Sequence, residues 1–128
     1  LNKGFQKTRE LYYNKELMEI SYDYNGLNVD FIVYKKENGY VKSVVVGYLL
    51  DALNRPCKYE SSKYEIKFDG LKDYDFEGVK VKIPLNMHEY LEHQYEKDFL
   101  IPNKFYDWRD NPLYEKVDES LVEVKLLK

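Results

Sequence analysis

The dipeptide Asn25-Gly26 constrains this chain more than any other feature of its sequence. A type I′ turn needs positive φ at both central residues. Asn-Gly between two alternating stretches therefore marks a two-residue β-hairpin. Both flanks alternate. Met18, Ile20, Tyr22 and Tyr24 fall on one face of Leu17–Tyr24, and Glu19, Ser21 and Asp23 fall on the other. Leu27–Lys36 follows, with Leu27, Val29, Phe31 and Val33 on one face. A two-residue loop pairs Tyr24 with Leu27, then Tyr22 with Val29, Ile20 with Phe31 and Met18 with Val33. Ser21 then opposes Asp30 on the polar face. A one-residue slip would turn every side chain of one strand to the wrong face.

The rest of the chain reads as further strands and one helix. Lys3-Gly4 reads as the end of a helical segment that leads into a strand. Glu37-Asn38-Gly39 is a second turn, and the β-branched run Tyr40–Val46 predicts a third antiparallel strand. Gly47–Asn54 is open between states: Tyr48, Leu49, Ala52 and Leu53 have helical spacing, and Pro56 ends any helix. Lys63–Phe68 alternates Tyr64, Ile66 and Phe68. Phe68-Asp69-Gly70 and Phe76-Glu77-Gly78 are turn chemistry, and Val79–Ile83 is a short strand closed by Pro84. Asn86–Asp98 is the predicted helix. Asn86 stands at the cap, Glu89 completes a capping box, and Met87, Tyr90, Leu91 and Tyr95 form the apolar stripe. The aromatic stretch Asn103–Glu115 reads as loop, and Ser120–Leu127 as an edge strand or a helical turn. The expected fold is one α+β domain over residues 1-128: a mostly antiparallel sheet with an N-terminal β-hairpin and one main helix.

Composition narrows the function classes. With 128 residues and 44% hydrophobic side chains, one core is affordable. A net charge of -3 argues against a sequence-independent nucleic-acid binder, which needs a basic face. No apolar run approaches the ~18 residues of a membrane span, and no signal-peptide pattern opens the chain. Cys57 is alone, which excludes an internal disulfide and points to a reducing, cytoplasmic setting.

The polar face of the first hairpin carries the chemistry worth testing. Asp30 sits between Val29 and Phe31, with Glu19 and Asp23 as diagonal cross-strand neighbours. Three carboxylates on one sheet face repel one another without a partner. Oxygen ligands of this kind suit Mg²⁺ or Mn²⁺; the alternative is a solvated outer face. His88-Glu89-Tyr90-Leu91-Glu92-His93 looks like a zinc-protease helix. Its histidines are five residues apart, however, and point about 140° apart on a helix, so they cannot share one metal. Neither histidine nor Cys57 stands in a triad pattern, and no phosphate-binding glycine loop occurs.

The order of pieces resembles the C-terminal part of the LicD/fukutin family. The residues that carry the likeness are the Leu1 to Phe5 lead-in, the Leu27–Ile32 strand, and Phe76-Glu77-Gly78-Val79-Lys80-Val81-Lys82-Ile83-Pro84. Glu89-Tyr90-Leu91-Glu92-His93-Gln94-Tyr95 follows, with Asp98-Phe99 and Pro102. The resemblance implies a partial nucleotidyltransferase-like fold. It also implies metal-dependent transfer of phosphocholine or a sugar-phosphate group from a nucleotide-linked donor to a glycan, with Mg²⁺ or Mn²⁺ as cofactor. Asp30 would then be the catalytic and metal-ligating acid, Glu19 and Asp23 further metal ligands, and Tyr95 and Trp108 substrate-side residues. Glu96 stands where that family has Gly after Tyr. The family's Asp-x-Asp half has no counterpart here, which implies a portion of a longer domain. A reading from another class is a non-catalytic binding or interaction domain that uses the same sheet.

Overall fold

The computed structural model describes residues 4–127, so the readings at Leu1 and Lys3 lie outside the described residues. Among the described residues the chain runs through ten strands and one α-helix. In order these are β1 (Phe5–Tyr13), β2 (Glu16–Tyr24), β3 (Leu27–Ile32), β4 (Lys35–Glu37), β5 (Tyr40–Leu50), β6 (Pro56–Lys67), β7 (Leu71–Phe76) and β8 (Val79–Pro84). Then come α1 (Met87–Tyr95), β9 (Glu115–Lys116) and β10 (Val122–Leu126). They form three antiparallel sheets, ordered β10-β1-β2-β3, β4-β5-β6-β9 and β7-β8.

This architecture corrects the expected α+β class. Strand makes up 56% of the structure, and the fold is nearly all-β rather than nucleotidyltransferase-like. A fold of that kind needs helices to cover its sheet. Here α1 spans 9 residues and buries none of them. Two further readings change with it. Gly47–Asn54 enters the sheet as far as Leu50, continuing the β-branched run. The chain then turns on Asp51, whose Oδ1 accepts from the backbone N–H groups of Leu53 and Arg55 at 2.8 and 2.9 Å. Asn86 does not cap α1 with its side chain; its Nδ2 donates to the Lys67 carbonyl at 2.7 Å instead.

The chain divides into two compact units, each described by itself. The first comprises the residues up to Tyr34, Ser43–Lys63 and those from Glu115 on. Its four-stranded sheet is a run of tight turns. Asn14 and Lys15 join β1 to β2 with φ of 48° and 65°, and Asn25 and Gly26 join β2 to β3 with φ of 52° and 84°. The β2–β3 hairpin has the register read from sequence, Ile20 opposite Phe31 and Ser21 opposite Asp30. The β1–β2 ladder carries two irregularities, an extra residue in β1 between Lys7 and Arg9 and one in β2 between Leu17 and Glu19. Leu11, 2% exposed, is the buried aliphatic anchor of this unit.

The second unit comprises Lys35–Lys42 and Tyr64–Tyr114. Val41, Tyr64 and Ile66 are buried in it, and Tyr64 stacks on Tyr114 with centroids 4.9 Å apart. Strands β7 and β8 meet at a Glu77-Gly78 turn with φ of 50° and 84°. Helix α1 ends at Glu96, and the aromatic loop after it is tied back by the Tyr106 hydroxyl, which donates to the Gln94 carbonyl at 2.9 Å.

Candidate functional site

The register of the first sheet decides which side chains meet. Strand β1 places Arg9 opposite Ser21, and β3 places Asp30 opposite Ser21 from the other side. Directly opposed residues share a face. Arg9, Ser21 and Asp30 therefore line up across three strands, with Glu19 and Asn28 next along the same face.

Arg9 organises this row. Its Nη2 donates to Glu19 Oε1 at 2.5 Å and to Ser21 Oγ at 2.9 Å, and its Nη1 donates to the Tyr48 hydroxyl at 3.2 Å. The guanidinium also lies 3.5 Å from Asp30 Oδ1. Burial works against the Arg9 charge. The Tyr48 hydroxyl and the Glu19 carboxylate outweigh that cost and hold the guanidinium pKa above its ordinary value. The Ser21 hydroxyl donates to Asp30 Oδ1 at 2.6 Å, and Asn28 Nδ2 donates to the same oxygen at 2.8 Å. Ser21 is 1% exposed.

This geometry fits an electrostatic brace, not a reaction centre. The Ser21 proton is committed to a carboxylate, and the hydroxyl is sealed from any substrate. A nucleophile needs a base within hydrogen-bond reach and an open approach. The site also does not fit a divalent cation. Such an ion takes several carboxylate or carbonyl oxygens, whereas Arg9 already supplies the positive charge between Glu19 and Asp30. Asp23 is elsewhere, its Oδ1 accepting from the Gly26 N–H at 3.0 Å and bracing the turn. Among the described residues no group of three His, Cys, Asp or Glu side chains could hold a metal ion.

The remaining predicted site residues belong to the second unit. Tyr95 lies edge-to-face with Tyr106, centroids 5.9 Å apart, at the end of α1. Trp108 opens the short 3-10 turn Trp108–Asp110. The two histidines of α1 serve different neighbours. His88 Nε2 lies 3.0 Å from Glu92 Oε1 one turn on, while the His93 backbone carbonyl accepts from Asn111 Nδ2 at 3.3 Å.

Sequence reasoning missed Arg9, Ser21, Asn28 and Tyr48. One signal could have found Arg9: three carboxylates on a sheet face require a cation, and Arg9 is the arginine nearest to them along the chain. The irregularity between Lys7 and Arg9 hid it, because it breaks the period that would have placed Arg9 on that face.

The opposite face of the same sheet is apolar and open. Phe5 stacks on Tyr24 at 4.7 Å between centroids, and Tyr22 meets Phe5 and Phe31 edge-to-face. Leu27 is 65% exposed and Phe31 43%.

The outer edge of β3 is open as well. The Val33 N–H donates to the Met18 carbonyl at 2.8 Å, which fixes the bonded pairs of this ladder as those of Val29, Phe31 and Val33. The backbone groups of Asn28, Asp30 and Ile32 therefore point away from β2. Among the described residues no strand pairs with that edge.

No family model matches this chain, no curated protein matches it, and no solved structure matches it. Among the described residues no helix is long and apolar enough to cross a membrane.

Proposed function

We propose that this chain is a non-catalytic interaction module that binds an extended polypeptide strand along β3. One observation carries the reading: β3 presents outward-pointing backbone groups at Asn28, Asp30 and Ile32 beside an exposed apolar face. Exposed sheet edges are normally blunted by charged side chains, proline or a bulge, and the one charge of β3, Asp30, is already paired with Arg9. Strand β3, Leu-Asn-Val-Asp-Phe-Ile, has neither lysine nor proline. The opposite edge strand, β10, carries Glu123 and Lys125. An added strand gains main-chain hydrogen bonds from the edge and side-chain contacts from alternate residues. Leu27, Val29 and Phe31 would supply those contacts.

The polar row beneath supports the same role. By tying Glu19, Ser21 and Asp30 together, Arg9 holds β1, β2 and β3 in fixed register, so the edge is preorganised for a partner. A single unpaired cysteine suits the cytoplasmic placement that belongs to this reading.

The test is fluorescence anisotropy with labelled hexapeptides that alternate valine with asparagine. The unaltered chain should bind them. Asn28→Pro should abolish binding, because it removes one outward N–H while leaving the inner ladder intact. Unchanged binding by Asn28→Pro, or no binding by the unaltered chain, contradicts the reading. So would CMP release from CDP-choline with Mg²⁺ or Mn²⁺ present.

A further inference from the structure

We infer that the strand β3 receives is β3 of a second copy of this chain, in an antiparallel two-fold pair. The inference rests on the strand-binding reading and names its partner. In an antiparallel edge pair, residues whose backbone groups point outward become the hydrogen-bonded pairs, and the residues between them the non-bonded pairs. For β3 against itself, Asn28 and Asp30 must bond outward and Val29 must lie between bonded pairs.

One register meets this with a two-fold axis through Val29. Val29 faces Val29 of the second copy. Leu27 faces Phe31, and Asn28 faces Asp30, each pair occurring twice. Every apolar side chain of the strand's exposed face then meets another, and no like charges stand directly opposite.

Charge favours this partner over a cationic one. Asp30 is the only charged residue of β3, and Arg9 already lies 3.5 Å from its carboxylate. The edge thus suits an uncharged, apolar-alternating strand, which is what β3 itself is. A self-complementary patch related by a two-fold axis is the commonest form of assembly. A six-residue strand pair buries less than the ~1,200 Å² of standard interfaces, so the dimer forms in a concentration-dependent way.

Cysteine cross-linking reads the register directly. Non-bonded pairs bring Cα atoms to about 4.5 Å, within disulfide range. In a Cys57→Ser background, Val29→Cys should form a disulfide-linked homodimer under mild oxidation. Leu27→Cys alone should not, because its two copies lie four residues apart along the strands, about 14 Å. A mixture of Leu27→Cys and Phe31→Cys should cross-link as a heterodimer.

Sedimentation of the unaltered chain up to about 1 mM, where weak complexes form, should show a rise from monomer to dimer. Val29→Lys should abolish it by placing two ammonium groups on the axis. A monomer throughout, a dimer that persists in Val29→Lys, or efficient cross-linking of Leu27→Cys alone would each overturn the inference. A chain that stays monomeric yet binds the valine-alternating hexapeptides keeps the strand-binding reading and loses only this partner.

Discussion

The hairpins β2–β3 and β7–β8 share their turn chemistry and their pattern but not their burial. Each has a two-residue turn with a glycine at φ of 84°, one apolar face and one polar face. In β7–β8 the polar face is a cross-strand ion pair, Asp73 with Lys82, in full view of solvent, and every residue of β7 is exposed. In β2–β3 the polar face is covered at its centre, where Ser21 is 1% exposed, although Asn28 and Asp30 beside it on β3 stay exposed. The difference lies in what the neighbouring strand brings. Strand β1 delivers a guanidinium to the polar face, which turns a row of repelling carboxylates into a row of charge-assisted hydrogen bonds. Alternation in a strand shows which residues share a face. It does not show which face is covered.

Removing that cation should break the comparison most. Arg9→Met keeps the aliphatic stem and deletes the charge. It leaves Glu19 and Asp30 unneutralised beside a buried hydroxyl. Since the row is partly solvated, the expected loss is about 2 kcal/mol rather than the full cost of a buried pair. Chemical denaturation followed by far-UV circular dichroism checks this. A change under about 0.5 kcal/mol, the level of an exposed pair, would make the row a surface ornament like Asp73 and Lys82.

The turns allow a finer comparison. A Cβ added at Gly26 or Gly78 meets nothing within 4 Å, so only the backbone resists. Gly26→Val should cost about 1 kcal/mol or more, since a β-branched residue resists positive φ. That cost should appear in global unfolding because β2–β3 holds the Arg9 row. Gly78→Val strains its turn equally. It should open β7–β8 locally, seen as faster amide exchange there, with a smaller shift of the denaturation midpoint. Equal global shifts would mean that both hairpins unfold as one.

The contrast also marks what could be read in advance. The β2–β3 register was legible because an Asn-Gly turn and strict alternation left one solution. Strand β1 was not, because the extra residue between Lys7 and Arg9 resets its period. The helix was placed by its apolar stripe, but Asn86 was drawn to the Lys67 carbonyl, a partner far along the chain that no local pattern shows. Asp30, Glu19 and Asp23 are legible as carboxylates that share one sheet face and need either a cation or solvent; that Arg9 reaches two of them is not, because it lies on a strand the pattern conceals.

The same backbone rule predicts a gain at the end of α1. Glu96 has φ of 70° and ψ of 175°, a region nearly reserved for glycine. Glu96→Gly should raise stability by about 0.5–1 kcal/mol, the relieved strain offset by glycine's greater unfolded freedom. A lower midpoint would show that this backbone is unstrained.

The smallest expected effect is electrostatic. The Arg109 side chain and backbone N–H hold the half-buried Asp107 carboxyl down at about 2. A depressed carboxyl pKa stabilises above its ordinary value of about 4, and that contribution is lost as pH falls toward 2. Carboxyl NMR titration should place the Asp107 midpoint near 2 and, in Arg109→Ala, closer to the ordinary range. An unmoved midpoint would remove Arg109 as the cause.

The open edge is tested most directly by residue-resolved amide hydrogen exchange along β3 at low protein concentration. Val29 and Phe31, bonded to β2, should exchange slowly. Asn28, Asp30 and Ile32, facing outward, should exchange fast. Slow exchange at Asn28 and Asp30 in the dilute monomer, or fast exchange at Val29 and Phe31, would contradict the account, because β3 would then have either a partner within the chain or no ladder to β2.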